Sequence, residues 1–347
     1  MFVISKNDLL NWVHDLASSK NVLAPVLNNR GETIFEKIHD HKQIHLNYQT
    51  TMVSPRKFIY PTRQDIKQPS LNEIQGKIIF GIHACDMHAL SVLDKTFLGE
   101  FKDSYYAELR EKTAIIVLNC NKACEKKYPN FILKGFCASM DSGPFLKLKK
   151  GYDIEITDIG KQQYLIETAS KKGRELIAKS KKFKKALKKD ISQKIKLKKS
   201  ALVSFTKKLE TKGLPELLAK TLDHPVYKQT ADSRCLSCTN CTMVCPTCFC
   251  YNIEDNIAYD LKTAGRNRYW DSCQELNFGK VHDGNFREPR LARLRQFVTH
   301  KLSTWLEQYG CFGCVGCGRC MTWCPTNIDL TEMAKEIQKD FKEGKIK

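Results

Sequence analysis

No apolar run in this 347-residue sequence approaches the length that a bilayer-spanning helix needs; the longest, such as Ala114–Leu118, are only a few residues. Met1–Lys20 reads as polar and helical, without an apolar signal core or a small-residue cleavage site. The expectation is therefore no membrane span and a reducing cytoplasm. Nucleotide signatures are missing too: Gly76 and Gly81 do not build a G-x-G-x-x-G loop, and no P-loop occurs. No His/Glu metal pair sits at helical spacing and no nucleophile elbow is found, so hydrolytic chemistry lacks a constellation. What the chain has in quantity is cysteine, with 16 residues. In a reducing compartment such cysteines are kept for metal rather than for disulfides.

Two stretches 79 positions apart organise them. The first is Cys235-Leu-Ser-Cys238-Thr-Asn-Cys241-Thr-Met-Val-Cys245-Pro246 and the second Cys314-Val-Gly-Cys317-Gly-Arg-Cys320-Met-Thr-Trp-Cys324-Pro325. Both are C-x2-C-x2-C-x3-C-P, in which three closely stepped thiolates wrap one [4Fe–4S] cube and the fourth cysteine reaches the other cube. The expected ligand sets are crossed: Cys235, Cys238, Cys241 with Cys324, and Cys314, Cys317, Cys320 with Cys245. Zinc is the plain rival, but zinc ribbons separate two cysteine pairs by a long loop. Gly313, Gly316 and Gly318 leave backbone amides free to approach cluster sulfurs. Arg234 and Arg319 are candidate counter-charges, and Pro246 and Pro325 turn the chain.

Taken in order, residues 6–17 place Leu9, Leu10, Val13 and Leu16 on one helical face, with Ser5 or Asn7 as cap. Strand-like pieces follow at Val22–Leu27, Glu32–Ile38 and Gln43–Tyr48, then a loop with a short extended piece between Ser54 and Pro61. Lys77–His83 and Thr113–Asn119 read as buried strands flanking a helix over Asp86–Leu98, a βαβ unit with parallel pairing. Ligands of such units gather beyond the carboxyl ends of the strands. Cys85 and Cys120 fall there, with Cys124 and Cys137 after them. These four could hold a third [4Fe–4S] cube, or could be small buried hydrophobes. Cys248, Cys250, Cys273 and Cys311 are read as core thiols, with binding of another metal by a subset as the alternative.

The formal net charge is +19, and +12 of it lies in residues 171–200, where 14 Lys and Arg meet only Glu175 and Asp190. This stretch reads as a basic amphipathic helix or helical hairpin, with Leu176, Phe183, Leu187, Ile191 and Ile195 near one stripe. A solvated face is the simplest reading. A docking arm for an acidic partner, a membrane surface or nucleic acid is the alternative, without a series of interleaved aromatic platforms to support single-strand stacking. A domain boundary is expected near residue 215: an α/β domain with a mainly parallel sheet over 1–214, then an all-helical two-[4Fe–4S] ferredoxin-like domain over 215–347. The helical expectation rests on Leu291, Leu294, Phe297, Val298, Leu302 and Trp305 at helical spacing between the motifs, and on Asp329 and Glu332 as a helix start.

Gly81-Ile-His-Ala-Cys-Asp86, Cys137-Ala-Ser-Met-x-x-Gly-Pro144, Cys245-Pro-Thr-Cys-x-Cys-Tyr251, Trp270-Asp-Ser-Cys273, Asn285-Phe-Arg287 and both cysteine motifs resemble the iron–sulfur β subunit of cytoplasmic NAD(P)-linked hydrogenases, also called sulfhydrogenase or sulfur reductase β subunits. One of the subunits of anaerobic sulfite reductase is similar. The likeness runs from about residue 50 to the C-terminus and omits the lysine-rich stretch. It implies an electron-transfer subunit between a flavin subunit that handles NAD(P)H and a separate catalytic subunit, hydrogenase or sulfite reductase. It also implies cluster-associated cysteines at Cys85, Cys120 and Cys137. Asp141 stands where the family usually has glycine, and Glu125–Phe136 lengthens the gap before Cys137. The alternative function is a nucleic-acid-binding protein with structural clusters and a basic arm. No DNA is expected for the leading reading.

Overall fold

The computed structural model describes residues 1–66, 70–127 and 132–346. Its first part is built on an eight-stranded mixed sheet. In spatial order the strands are Lys184–Lys185, Phe2–Ser5, Gln163–Thr168, Ile154–Gly160, Ala114–Leu118, Lys77–His83, Asn21–Leu27 and Thr33–Lys37. The four central ones, from Ile154–Gly160 to Asn21–Leu27, run parallel, with registers such as Ile79↔Ile115 and Val117↔Glu155. Antiparallel strands close both flanks. Lys77–His83 is apolar from Ile78 to Ile82, and Ala114–Leu118 is apolar throughout, because helices cover both faces. Ile78, Phe80 and Ile116 meet Leu9, Trp12 and Val13 of helix Lys6–Ala17. Ile79, Ile115 and Val117 meet Met87, Leu90 and Leu93 of helix Ala84–Phe97. The first helix starts as predicted: Ser5 Oγ accepts the Asp8 amide at 3.1 Å.

A second core gathers helices Leu214–Lys220, Pro225–Ser233, Arg290–Thr299 and Leu330–Lys342 with Phe136 and Met140 from the first part of the chain. The expected helix between the motifs is present and continues through a π-helical turn, His300–Thr304, into Trp305–Tyr309. The last helix is capped by Asp329, whose Oδ1 accepts the Thr331 amide at 2.8 Å.

Four expectations are modified. The part after residue 215 is helical around the motifs but also carries the hairpin Tyr251–Ile257/Ala264–Trp270, which takes Arg63–Asp65 as a third strand. Gln43–Tyr48 is not a strand; only Ile44 bridges to Val26, and Tyr48 instead sends its hydroxyl to Gly81 O at 2.8 Å. Between Ser54 and Pro61 the chain makes a 3-10 turn, Pro55–Phe58, because Ser54 caps it. The basic stretch is two helices, Lys171–Ala178 and Lys188–Val203, separated by the edge strand Lys184–Lys185. Its apolar residues do not share one buried stripe: Leu176 is buried, Leu187 and Ile195 are exposed. Residues 128–131 of the lengthened gap lie outside the described residues, between the short strands Glu125–Lys127 and Ile132–Lys134.

Candidate iron–sulfur centres

The two cysteine motifs fold alike, residue for residue. Each enters through a left-handed turn: Thr239 (φ 65°) corresponds to Gly318 (φ 80°), and Ser237 (φ 52°) to Gly316 (φ 62°). Each then makes one helical turn, Asn240–Met243 and Arg319–Thr322, and these pack on one another. The left-handed positions turn amides toward sulfur: Ser237 N donates to Cys235 Sγ at 3.4 Å and Gly316 N to Cys314 Sγ at 3.3 Å. Ile328 N donates to Cys324 Sγ at 3.3 Å. After each Cys-Pro pair a threonine hydroxyl meets the fourth sulfur, Thr247 on Cys245 at 3.2 Å and Thr326 on Cys324 at 3.4 Å.

The thiols are grouped across the motifs. Those acting on Cys241 are, in falling order, Cys235, Cys324, Cys238 and Cys245. Those acting on Cys320 are Cys314, Cys245, Cys317 and Cys241. Cys235, Cys238, Cys241 and Cys324 also line a cavity whose walls are Leu294, Phe297, Val298 and Leu330. Burial, and then the neighbouring sulfurs, pushes the thiol of Cys241 well above its ordinary range. Burial raises Cys314 to about 12 and Cys317 to about 11. Crowded thiols of this kind resist ionising by themselves, and coordinated metal reverses that by supplying positive charge. Among the described residues no three Cys, His, Asp or Glu side chains converge tightly enough to hold a single metal ion. A cube is ligated at four separate irons, so its thiolates need not meet at one point. Apolar walls, amide donors on sulfur and mutually repelling thiols fit a cluster, whose sulfurs accept such hydrogen bonds.

Cys85, Cys120, Cys124 and Cys137 come together as well. Cys85 opens helix Ala84–Phe97 directly after one parallel strand, and Cys120 follows the adjacent one, so sheet topology places them side by side. One cavity is lined by all four, and also by Cys317 and Arg319 of the second motif. The Cys120 and Cys124 thiols are hydrogen-bonded to each other, which raises the first and lowers the second; Cys124 also reaches Gln49 O at 2.9 Å. Gly316 and Gly318 let the motif press on this group: a Cβ on Gly316 would lie 2.7 Å from Phe136 O and one on Gly318 2.8 Å from Lys134 O. Asp141 adopts φ 56°, which accounts for the family's glycine there, since aspartate is among the few residues that tolerate this region.

Of the remaining cysteines, Cys248, Cys250 and Cys273 sit between the motif cysteines. Cys248 is hydrogen-bonded to Cys245, and Cys250 to Cys273, whose thiol holds Cys250 down to about 7. Cys311 is away from them, packed near Trp305 and Val315. Among the buried cations that went unnoticed in the sequence are Lys301 and Arg56. Lys301 donates to Thr247 Oγ1 at 2.9 Å and lies over the Trp305 ring. Burial pulls its pKa down, but Cys245, Cys248, Cys250 and Cys314 outweigh that and raise it. Its signal was available: Lys301 stands four residues from both Phe297 and Trp305, in the apolar stripe. Arg56 stacks on Trp270 at 3.7 Å, and its Nε and Nη1 are buried without a partner. Arg319 is not a free counter-charge. Its guanidinium meets Asp86 at 2.8 and 3.0 Å and Thr51 O at 2.7 Å, tying the second motif to the first helix of the βαβ unit. Arg234 is exposed and spans to the carbonyl of Thr326.

Residues 234–328 match the family described as 4Fe-4S dicluster domain, which carries two [4Fe–4S] clusters. A curated relative, the sulfhydrogenase 2 subunit beta of Pyrococcus furiosus, is 30% identical over 329 residues, covering 91% of this chain and 92% of the relative. No helix among the described residues is long and apolar enough to cross a membrane. Sharing that identity along most of both chains, and carrying the dicluster domain, this iron–sulfur electron-transfer protein belongs to the family of sulfhydrogenase β subunits.

Proposed function

We propose that the chain is a cytoplasmic relay that takes electrons from a flavin subunit oxidising NAD(P)H and passes them to a catalytic subunit, a hydrogenase or a sulfur or sulfite reductase. The observation that carries this reading is the unbroken adjacency of three cysteine groups. Cys241 of the first adjoins Cys245 of the second, and Cys317 of the second adjoins Cys85 and Cys137 of the third. Cys235, Cys238, Cys241 and Cys324 would hold one cube, Cys314, Cys317, Cys320 and Cys245 the next, and Cys85, Cys120, Cys124 and Cys137 a third. Bound there, cubes supply one-electron redox chemistry at potentials set by their surroundings. The chain's own residues set those surroundings: Ser237, Gly316 and Ile328 amides donate to sulfur, and Leu294, Phe297 and Val298 exclude water. Cys238 is exposed beside the exposed Leu236, which puts the first group where a partner's redox centre could approach. A division into residues 1–214 and 215–347 separates the third group from the first two.

Iron analysis of anaerobically reconstituted protein tests the reading. About twelve irons per chain are expected on this ligand count, falling to about eight in Cys85→Ser. Zinc in place of iron would refute it. Mass spectrometry of the complex captured anaerobically with this subunit tests the partners; recovery without any flavoprotein would overturn that part.

A further inference from the structure

We infer that Lys301 is a potential-setting residue: a fixed cation that favours the reduced form of the centre held by Cys314, Cys317, Cys320 and Cys245. The inference rests on that ligand set and deepens it. Lys301 is 3% exposed, and among the described residues it has no carboxylate within ion-pairing distance. Its ammonium is instead anchored by Thr247, whose hydroxyl touches Cys245 Sγ and donates to Gly313 O at 2.6 Å, next to Cys314. A buried ammonium without a counter-ion is costly, and the groups that face this one are the sulfurs of Cys245, Cys248, Cys250 and Cys314, of which Cys245 and Cys314 carry negative charge once they ligate iron. The backbone is shaped to put it there. Lys301, Leu302 and Ser303 are all buried, and they lie in the π-helical turn His300–Thr304. Such turns recur at functional sites. The Trp305 ring, fully buried, lies 4.8 Å from the ammonium and helps to keep water from screening it.

Adding an electron to a cluster adds one negative charge, so a cation held beside its ligating sulfurs stabilises the reduced state over the oxidised one. Removing it lowers the midpoint potential of that centre. Lys301→Met, purified anaerobically as the full chain, is titrated against redox mediators and followed by electron paramagnetic resonance, with iron measured on the same sample. The expected result is unchanged iron and, for one centre, at least a tenfold lower reduced-to-oxidised ratio at fixed potential, about 59 mV for a one-electron couple. Lys301→Arg keeps the charge and retains most of the wild-type ratio. An unmoved potential with full iron overturns the inference. So does loss of about four irons in both Lys301→Met and Lys301→Gln, which would make the lysine a structural support. Cys245→Ser separates the two possible failures. If it keeps all iron and every signal, the ligand set falls and the inference with it; if it loses the second centre while Lys301→Met does not shift, only the role of the lysine falls.

Discussion

Replacing Asp86 by asparagine removes the one carboxylate that faces Arg319 among the described residues, while leaving a side chain of the same shape. Arg319 is 1% exposed and Asp86 2%, so no water can take over. Burial opposes the charge on the guanidinium and Asp86 more than offsets it, holding Arg319 well above its ordinary range. Breaking a buried pair from one side costs about 3–5 kcal/mol. Arg319 keeps Thr51 O, which places the loss near the lower end, about 3 kcal/mol. With a urea slope of about 3 kcal/mol/M, the unfolding midpoint should fall by about 1 M. The assay is anaerobic urea unfolding of the iron-loaded chain, followed by near-ultraviolet circular dichroism. Asp86→Leu combined with Arg319→Met removes both charges and should recover most of the loss, to within about 1 kcal/mol. A midpoint within about 0.2 M of wild type for Asp86→Asn, or additive losses in the double variant, would refute the view that this pair joins the two parts of the molecule.

Two further outcomes follow from backbone and burial. Gly310 and Gly316 both have positive φ, but an added Cβ meets nothing at Gly310 and Phe136 and Cys137 backbone at Gly316; Gly310→Ala should cost about 1–2 kcal/mol and Gly316→Ala roughly 2–5 kcal/mol by thermal unfolding. His88 has its Nε2 buried without a partner, and burial, then Lys147, lowers its pKa to about 4. The unfolded chain therefore binds a proton that the folded chain refuses, and stability present above about pH 6.5 is lost as pH falls toward 4, by at most about 1.4 kcal/mol per pH unit. His88→Gln should flatten that slope in urea midpoints taken from pH 7 to 5; an unchanged slope would assign it elsewhere.

The parallel strands were legible because their apolar runs are buried on both faces, and the dicluster domain because ligation imposes its own spacing. The hairpin Tyr251–Trp270 was not. Every residue of Tyr251–Ile257 is exposed, so no alternation marks it, and its third strand, Arg63–Asp65, comes from far away in sequence. Lys184–Lys185 joins the large sheet through backbone pairing to Phe2 and Val3, for which two lysines give no hint. Within the same stretch Lys194 is partly buried between Glu155 and Glu167. Charge counting read it as solvated because its partners lie on strands of the large sheet, remote from this helix in sequence. Arg319 was singled out as a counter-charge to a cluster, but its match, Asp86, is visible only once the second motif is folded against the βαβ unit.

The near-identical folding of the two cysteine loops has a thermodynamic side. Under the proposed crossed ligation, each cube fastens one loop to the other, and the chain between Cys245 and Cys314 becomes a closed ring. Ring closure of that size removes about 4 kcal/mol of entropy from the unfolded ensemble, as a disulfide would. The second cube closes almost no new ring, because the first has already brought both ends together. The two cubes are therefore unequal as staples: whichever is lost first should cost little cohesion, and the loss of the survivor should release the hairpin and the helix between the loops together.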